Sequence, residues 1–505
     1  MRTVALAAPA AAPPRAGAIT AAAALAAAAG LLAAAGWGLP ALALAAAVAL
    51  AALGACLPLN ATRATLLAAL LLVPDVPSGH SLGFLVHWSQ GLTWSNFVLP
   101  ALAVPLLGGA WLAGHRLTPA RWPPLARGCF WLLAWSLLTL LLPWSAGAMP
   151  TAGAATLLAH WVKLALFVYL GVVLAGEGAA WQRRAGQVLV VALAVNAAVG
   201  LAQAAGWLPV FSPLAQAQPG VAARASGLFY DANMYGVLMA WALLWLLCRL
   251  DLDGRGPLRG SAARPASARA GLHRAGWWLL TLAVAGNLVA AGSRAGFAAL
   301  AVGLAVLLWF HRWRPALRAA LLLAVLGMLF PARSWQRIAS AANTLQEDWT
   351  SGALAPAADG STQQRLASME QAWQQIVRHP LLGLGFGRAL YLGVAAVGSG
   401  PVRPAAPFQG AQSMGLTVLA ETGPVGLALF LIAIAMPLRR LWRAAATSAP
   451  ALPLLAGFVG LLAGFVGLLA ASFTIEVLWN ARVRALTVVL TARAGAGAGE
   501  PEAAP

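Results

Sequence analysis

Residues 361–387 read STQQRLASMEQAWQQIVRHPLLGLGFG and form a long stretch that is not plainly membrane-spanning. The stretch opens with the Ser-x-x-Gln form of a capping box, in which two side chains satisfy amides at the start of a helix. Apolar residues follow at spacings of three and four, at Leu366, Met369, Trp373 and Ile376. One face of the predicted helix is therefore apolar, and a proline then stops it. We expect this amphipathic helix, between two apolar runs, to cover a cavity.

The composition of the whole chain is that of a membrane protein. The chain is 61% hydrophobic and 9% charged, which is more apolar surface than a soluble protein of this length could bury. The net charge of +19 would suggest nucleic-acid binding in a soluble protein. Most arginines, however, lie in short loops between apolar runs, where they fix orientation. We therefore expect membrane lipids and no nucleic acid as partners, and the three cysteines lack metal-ligand spacing.

The fold class predicted from the apolar runs is an all-α, polytopic helical membrane protein with about 12–14 transmembrane helices. The predicted spans are 19–35, 39–57, 62–73, 97–114, 128–143, 153–175, 186–206, 228–248, 276–292, 295–310, 316–330, 413–437 and 452–472. A last apolar segment, 474–492, contains the charged residues Glu476, Arg482 and Arg484, and it either crosses the membrane or lies in its interface.

The predicted domain organisation follows from these spans. Residues 1–330 would hold transmembrane helices 1–11, residues 331–412 one large loop with the amphipathic helix, 413–492 the C-terminal transmembrane helices, and 493–505 a disordered tail. Basic residues collect in alternate loops, which the positive-inside rule assigns to the cytoplasm. The large loop is then expected to face outward.

Two arginines fall on the outward side, away from the basic loops. Arg224 lies at the mouth of a predicted span, and Arg294 lies in a tight Gly-Ser-Arg-Ala-Gly hairpin. An ionisable residue at membrane depth is a functional candidate by default, although each could instead snorkel to a headgroup or bind a carbonyl. Because the guanidinium fork suits phosphate, the pair could hold a pyrophosphate and stabilise it as a leaving group.

Four motifs resemble the O-antigen ligase superfamily, which includes O-antigen ligases, Wzy-type polymerases and protein O-oligosaccharyltransferases. They are Arg-x-Ser-Gly-x-Phe-x-Asp-x-Asn from Arg224, Ser-Arg-x-Gly around Arg294, His-Pro-Leu-Leu-Gly-Leu-Gly from His379, and Leu-Ala-Glu-Thr-Gly around Glu421. The resemblance implies that a glycan is transferred from undecaprenyl diphosphate to an acceptor hydroxyl, without nucleotide, metal or other cofactor. Arg224 and Arg294 would bind the diphosphate, with Arg365 as a third candidate.

The resemblance also implies a location and a set of acceptors. The chain would be a multi-pass protein of the bacterial inner membrane with its large loop in the periplasm. Its acceptor would be lipid A-core, another glycan or a protein. A Wzy-type polymerase is a further possibility within the family. A lipid or glycan transporter is less favoured, because few acidic residues lie inside spans and no paired broken helices are evident.

One departure from the family pattern bears on catalysis. The family usually has a His-Asn pair where this chain has Gln412-Ser413, and glutamine cannot accept a proton. Three explanations stay open: another group activates the acceptor, Gln412 only orients it, or the chain is a degenerate member that binds lipid-linked glycan or scaffolds polysaccharide assembly. The other candidate groups are His379, Glu421, His80 and His87. A histidine before a helix-ending proline, as at His379, is more often a cap than a base.

Overall fold

The computed structural model describes residues 38–74, 95–118, 122–145, 151–175, 179–210, 224–229, 232–254, 268–310, 314, 317–319, 322, 360–387 and 414–447. Within these ranges every regular element is a helix. The predicted all-α class of helical membrane protein is confirmed.

The helices fall where apolar run length predicted them. They are α1 (Gly38–Cys56), α2 (Leu59–Leu72), α3 (Ser95–Leu112), α4 (Pro124–Ser145), α5 (Thr151–Leu174), α6 (Ala179–Ala204), α7 (Ala232–Gly254), α8 (Ala268–Ala291), α9 (Arg294–Trp309), α10 (Gly360–Arg378) and α11 (Met414–Thr447). Helix α10 is the predicted amphipathic helix. Helices α8 and α11 extend beyond the predicted spans into arginine-containing segments, since arginine is a good helix former.

Three of these helices are long and apolar enough, by length and composition, to cross a membrane. The candidate crossing segments are Arg183–Ala204, Ala232–Leu250 and Gly415–Ala444, and shorter apolar segments occur in α1 to α5 and in α9. The predicted spans 19–35, 452–472 and 474–492 lie outside the described residues, as does most of 316–330. The total number of spans and the domain boundaries stay predictions.

Helix α7 lies at the centre of the larger part of the bundle. Helices α8 and α9 pack on α7, and α6 packs on both α8 and α2. The crossing of α7 and α9 is close: a Cβ added to Gly296 would lie 2.8 Å from the Gly236 carbonyl oxygen. Small residues at such a crossing let two membrane helices approach along their backbones.

A second group of helices forms around α11. Helices α4 and α10 pack on α11, and α5 packs on α4. Helix α11 is broken at Gly423, whose φ of 66° and ψ of −173° leave the helical path. The two halves of α11 therefore meet at a break inside the segment predicted to cross the membrane.

Candidate functional site

Arg224 lies where two of the predicted motifs meet. Its Nε donates to the carbonyl oxygen of Ala291 at 2.8 Å, and its Nη2 donates to Asn233 Oδ1 at 2.8 Å. The Ser293 hydroxyl donates to the Asn233 carbonyl at 3.3 Å. The Arg224 motif and the Ser293-Arg294 hairpin, far apart in sequence, thus form one half-buried centre in which two hydrogen bonds orient the guanidinium plane.

Two helices begin at this centre. Ser293 caps α9 by accepting from the Gly296 amide at 3.0 Å, and Arg294 is the first residue of that helix. Helix α7 begins at Ala232, eight residues after Arg224. The N-terminal end of a helix carries a partial positive charge and unpaired amides, which favour anions. Two helix starts and a fixed guanidinium therefore give this end of the bundle the electrostatics of an anion site.

A glutamine of α6 holds the chain next to Arg224. The Oε1 atom of Gln203 accepts from the amides of Ser226 at 3.0 Å and Gly227 at 2.9 Å. Its Nε2 donates to the carbonyl oxygens of Gly227 at 3.1 Å and Pro209 at 3.3 Å. Gln203 is buried, so the amide acts as a fixed clamp on the 226–227 backbone.

A buried polar network lies behind this clamp. The Tyr235 hydroxyl is 2.8 Å from Asn287 Oδ1 and 3.0 Å from the Asn196 carbonyl oxygen. Asn287 Nδ2 donates to the carbonyl oxygens of Ala197 and Ala283, which directs Oδ1 toward the tyrosine. Asn196 Oδ1 also accepts from the amide of Leu228 at 3.3 Å. Satisfied buried networks of this kind make a local structure rigid.

The break in α11 forms a second centre, at the Leu-Ala-Glu-Thr-Gly motif. Pro424 has no amide hydrogen and Gly423 lies off the helical path, so the carbonyls of residues 420–422 lack their usual helical partners. Three donors from other parts of the chain satisfy them. The bonds run from the Leu384 amide to Ala420 (2.8 Å), from the Gly385 amide to Glu421 (2.9 Å) and from the Trp135 indole to Thr422 (2.8 Å).

The motif that follows α10 is thus docked on the broken helix. The approach is close, because a Cβ on Gly383 would lie 2.6 Å from the Glu421 carbonyl carbon. Phe386 is buried in a cluster with Leu140, Leu157 and other side chains of α4 and α5. The segment that follows α10 therefore caps a discontinuous helix, which a membrane protein tolerates only where the freed backbone groups are satisfied.

A ring contact beyond the end of α9 indicates that the two centres lie at the same end of the bundle. Phe310, directly after α9, contacts Trp442 of α11 with ring centroids 5.2 Å apart. At about 1.5 Å per residue, α9 rises about 24 Å from Arg294 to that contact, and α11 rises about 27 Å from the break at Gly423. Since spanning helices are inclined by only about 20° on average, we expect Arg294 and the break to lie at similar depth.

The structure describes the other predicted site residues to different extents. Glu421 is buried at the break, whereas the His379 side chain is exposed and its carbonyl accepts from the Gly383 amide at 3.2 Å, as a cap would. Only the backbone positions of Arg294 and Arg365 are described. Outside the described residues lie Gln412, Ser413, His80 and His87.

Sequence reasoning missed the residues that support the Arg224 segment. Asn196, Gln203 and Asn287 are polar residues inside apolar helices, which is a signal of a packed or functional position. Among the described residues, no three His, Cys, Asp or Glu side chains lie close enough together to bind a metal ion.

Comparison with protein families matches residues 279–431 to the family described as O-Antigen ligase. This segment runs from within α8 to within α11 and includes Arg294, the docked motif and Glu421. Comparison with curated proteins gave no match. Arg224 and Gln203 precede the matched segment, as does Trp135.

Proposed function

We propose, from the match of residues 279–431 to the O-antigen ligase family, that the chain is a glycosyltransferase of the bacterial inner membrane. It moves a glycan from an undecaprenyl-diphosphate carrier to an acceptor hydroxyl on the periplasmic side. The acceptor is lipid A-core, another glycan or a protein. The observation that carries this proposal is the geometry of Arg224, which two hydrogen bonds of 2.8 Å orient beside the starts of α7 and α9.

In the proposed glycan transfer, the site must stabilise the departure of an anionic leaving group. The acceptor oxygen bonds to the anomeric carbon while the bond from that carbon to the diphosphate breaks. The electron pair leaves with undecaprenyl diphosphate, and the acceptor proton passes to a base or to a phosphate oxygen. Preorganised positive groups stabilise the charge that develops on the diphosphate without having to reorganise. Arg224, Arg294 and the two helix starts supply such groups.

The broken helix provides the second part of the proposed site. Glu421 is a buried carboxyl group at the break, and we expect this break to lie at a depth similar to that of Arg294. A carboxylate held by a fixed backbone is suited to orient or deprotonate an acceptor hydroxyl. Because glutamine stands at 412, Glu421 is the described residue we propose for this role, with Gln412 orienting the acceptor.

The test is complementation of a ligase-deficient strain with the wild-type chain and single variants. Arg224→Ala is expected to abolish glycan transfer while the protein still inserts, and lipid-linked donor should accumulate. Arg224→Lys should restore little, because lysine cannot reproduce two bonds in one plane. Arg184→Ala, at an exposed arginine of α6, is the matched control. Full transfer by Arg224→Ala would contradict the proposal.

The glutamine at position 412 favours a second candidate function, a degenerate member that binds lipid-linked glycan or scaffolds polysaccharide assembly. Such a protein would bind undecaprenyl diphosphate in an Arg224-dependent way but would restore no transfer in the same strain. Measuring binding and transfer on the same preparation separates the two functions.

A further inference from the structure

Helix α10 has one side that packs on protein. Ala372 is fully buried, Met369 and Ile376 are half-buried, and the helix packs on α11. The predicted apolar stripe included Trp373, but this side chain is 58% exposed. The packed side is therefore rotated away from the tryptophan.

The remaining apolar residues form a separate exposed edge. Trp373, Val377 and Leu381 follow at steps of four and are 58%, 63% and 77% exposed. Trp373 and Val377 are neighbours on the surface of α10, because residues four apart on a helix lie on one side, and Leu381 lies in the turn that follows the helix. The exposed residues Glu370, Gln371, Gln374 and Arg378 form a polar edge that adjoins the apolar one. Helix α10 thus has a protein side, an apolar edge and a polar edge.

The apolar edge continues into the exposed side of α11. The carbonyl of Leu381 lies against Gly423, since a Cβ there would collide with it. Two residues further on, Val425 is 46% exposed, and Leu431 and Ile432 continue an exposed apolar stripe along the helix. In a helix that crosses the membrane, such a stripe faces lipid. An apolar edge that joins it lies at the boundary of the bilayer.

We propose that the edge formed by Trp373, Val377 and Leu381 lies in the interfacial region of the bilayer, with lipid as its partner. Tryptophan is enriched at this depth because its ring is apolar and its N–H is polar. Helices that lie on a membrane bury one apolar edge among headgroups and keep a charged edge in water, as Arg378 and its neighbours would here. Helix α10 is then a surface-lying helix, anchored by lipid on one side and α11 on the other.

The arrangement has a consequence for the proposed site. Helix α10 is followed directly by the segment that caps the break in α11 through the Leu384 and Gly385 amides. Anchoring α10 in the interface therefore holds the cap at the level where a lipid-linked molecule presents its headgroup.

The test uses single cysteines in the full chain, with Cys56, Cys129 and Cys248 replaced by alanine. Trp373→Cys, Val377→Cys and Leu381→Cys are labelled with an environment-sensitive fluorophore in nanodiscs of phosphatidylethanolamine and phosphatidylglycerol. Gln371→Cys and Gln374→Cys are the matched controls on the polar edge. Doxyl-labelled phospholipid should quench the three apolar positions severalfold more than the controls, and aqueous iodide should quench them severalfold less.

Two results would overturn the proposal. Strong quenching by iodide at all three apolar positions would mean that this edge faces water. Protection from both quenchers would mean that protein covers it, either another segment of this chain or a second copy. Three positions are labelled so that one poorly folded variant does not decide the outcome, and each protein is checked for a single elution peak. The result does not depend on glycan transfer, so it stands apart from the proposed function.

Discussion

The indole nitrogen of Trp135 donates to the carbonyl oxygen of Thr422 at 2.8 Å, across 287 residues of chain. This bond satisfies one of three carbonyls freed by the break in α11, and the other two accept from the amides of Leu384 and Gly385. Both amides belong to the segment matched to the ligase family, whereas Trp135 belongs to α4. The family motif is therefore completed by a side chain that lies far outside it.

Trp135→Phe tests this contribution, because it removes the donor and keeps most of the ring. The Thr422 carbonyl would be left without its partner, which costs about 1–3 kcal/mol for a buried group. We expect the melting temperature of the purified protein to fall by a few degrees and glycan transfer to fall with it. Trp131→Phe, at an exposed tryptophan of the same helix, is the control and should have little effect. Equal effects of the two variants would contradict this role for Trp135.

Gln203→Leu tests the clamp on the Arg224 segment. The substitution leaves the amides of Ser226 and Gly227 without their acceptor, and each unpaired buried group costs about 1–3 kcal/mol. We expect glycan transfer to fall nearly as far as in Arg224→Ala, because the guanidinium loses its fixed position. Gln203→Glu should also fail, since a carboxylate cannot donate to the Gly227 carbonyl.

The double variant distinguishes positioning from general destabilisation. If Gln203 acts through Arg224, the residual transfer by Gln203→Leu with Arg224→Lys will be no lower than by Arg224→Lys alone, because residues that act through one network are not additive. An additional, independent loss in the double variant would show that Gln203 affects transfer by another route. Transfer rates in membrane vesicles, corrected for the amount of protein, provide the measurement.

Gly383→Ala tests the docking of the large-loop motif on α11. Gly383 has a φ of 70°, and its added Cβ would lie 2.6 Å from the Glu421 carbonyl carbon. The alanine must move the 383–385 segment, so the two amide bonds to the broken helix should be lost. Gly415→Ala is the matched control, because a Cβ there meets nothing within 4 Å. We expect loss of transfer and a lower melting temperature in Gly383→Ala, and wild-type behaviour in Gly415→Ala.

The positions of the helices could be predicted because the length of an apolar run reports a membrane span directly. Residues 228–248 were predicted to span, and α7 runs from Ala232 to Gly254. The partners of polar residues could not be predicted in this way. Gln203 is conspicuous in an apolar helix, yet no local pattern pairs its side chain with the Ser226 and Gly227 amides. Such pairings depend on the tertiary approach of α6 to the segment before α7.

The orientation of α10 illustrates the same limit. Its periodicity predicts a helix with one apolar face, and α10 does form. The predicted apolar face contains both Met369, which is half-buried, and Trp373, which is exposed. Hydrophobicity alone does not distinguish a side chain that contacts protein from one that contacts lipid, because both environments are apolar. The neighbouring helix had to be known before the two could be separated.

Tyr235→Phe tests whether the buried network behind Arg224 supports the site. The hydroxyl donates within a network formed by Asn287 Oδ1 and the Asn196 carbonyl, so its removal leaves the Asn287 oxygen without this donor. We expect a loss of about 1–3 kcal/mol, seen as a melting temperature lowered by a few degrees. The control is Tyr169→Phe, because Tyr169 lines an apolar cavity between α4 and α5. Because the network holds the Leu228 amide through Asn196, Tyr235→Phe should also reduce binding of undecaprenyl diphosphate. A normal affinity together with a lowered melting temperature would mean that the network stabilises the bundle without positioning Arg224.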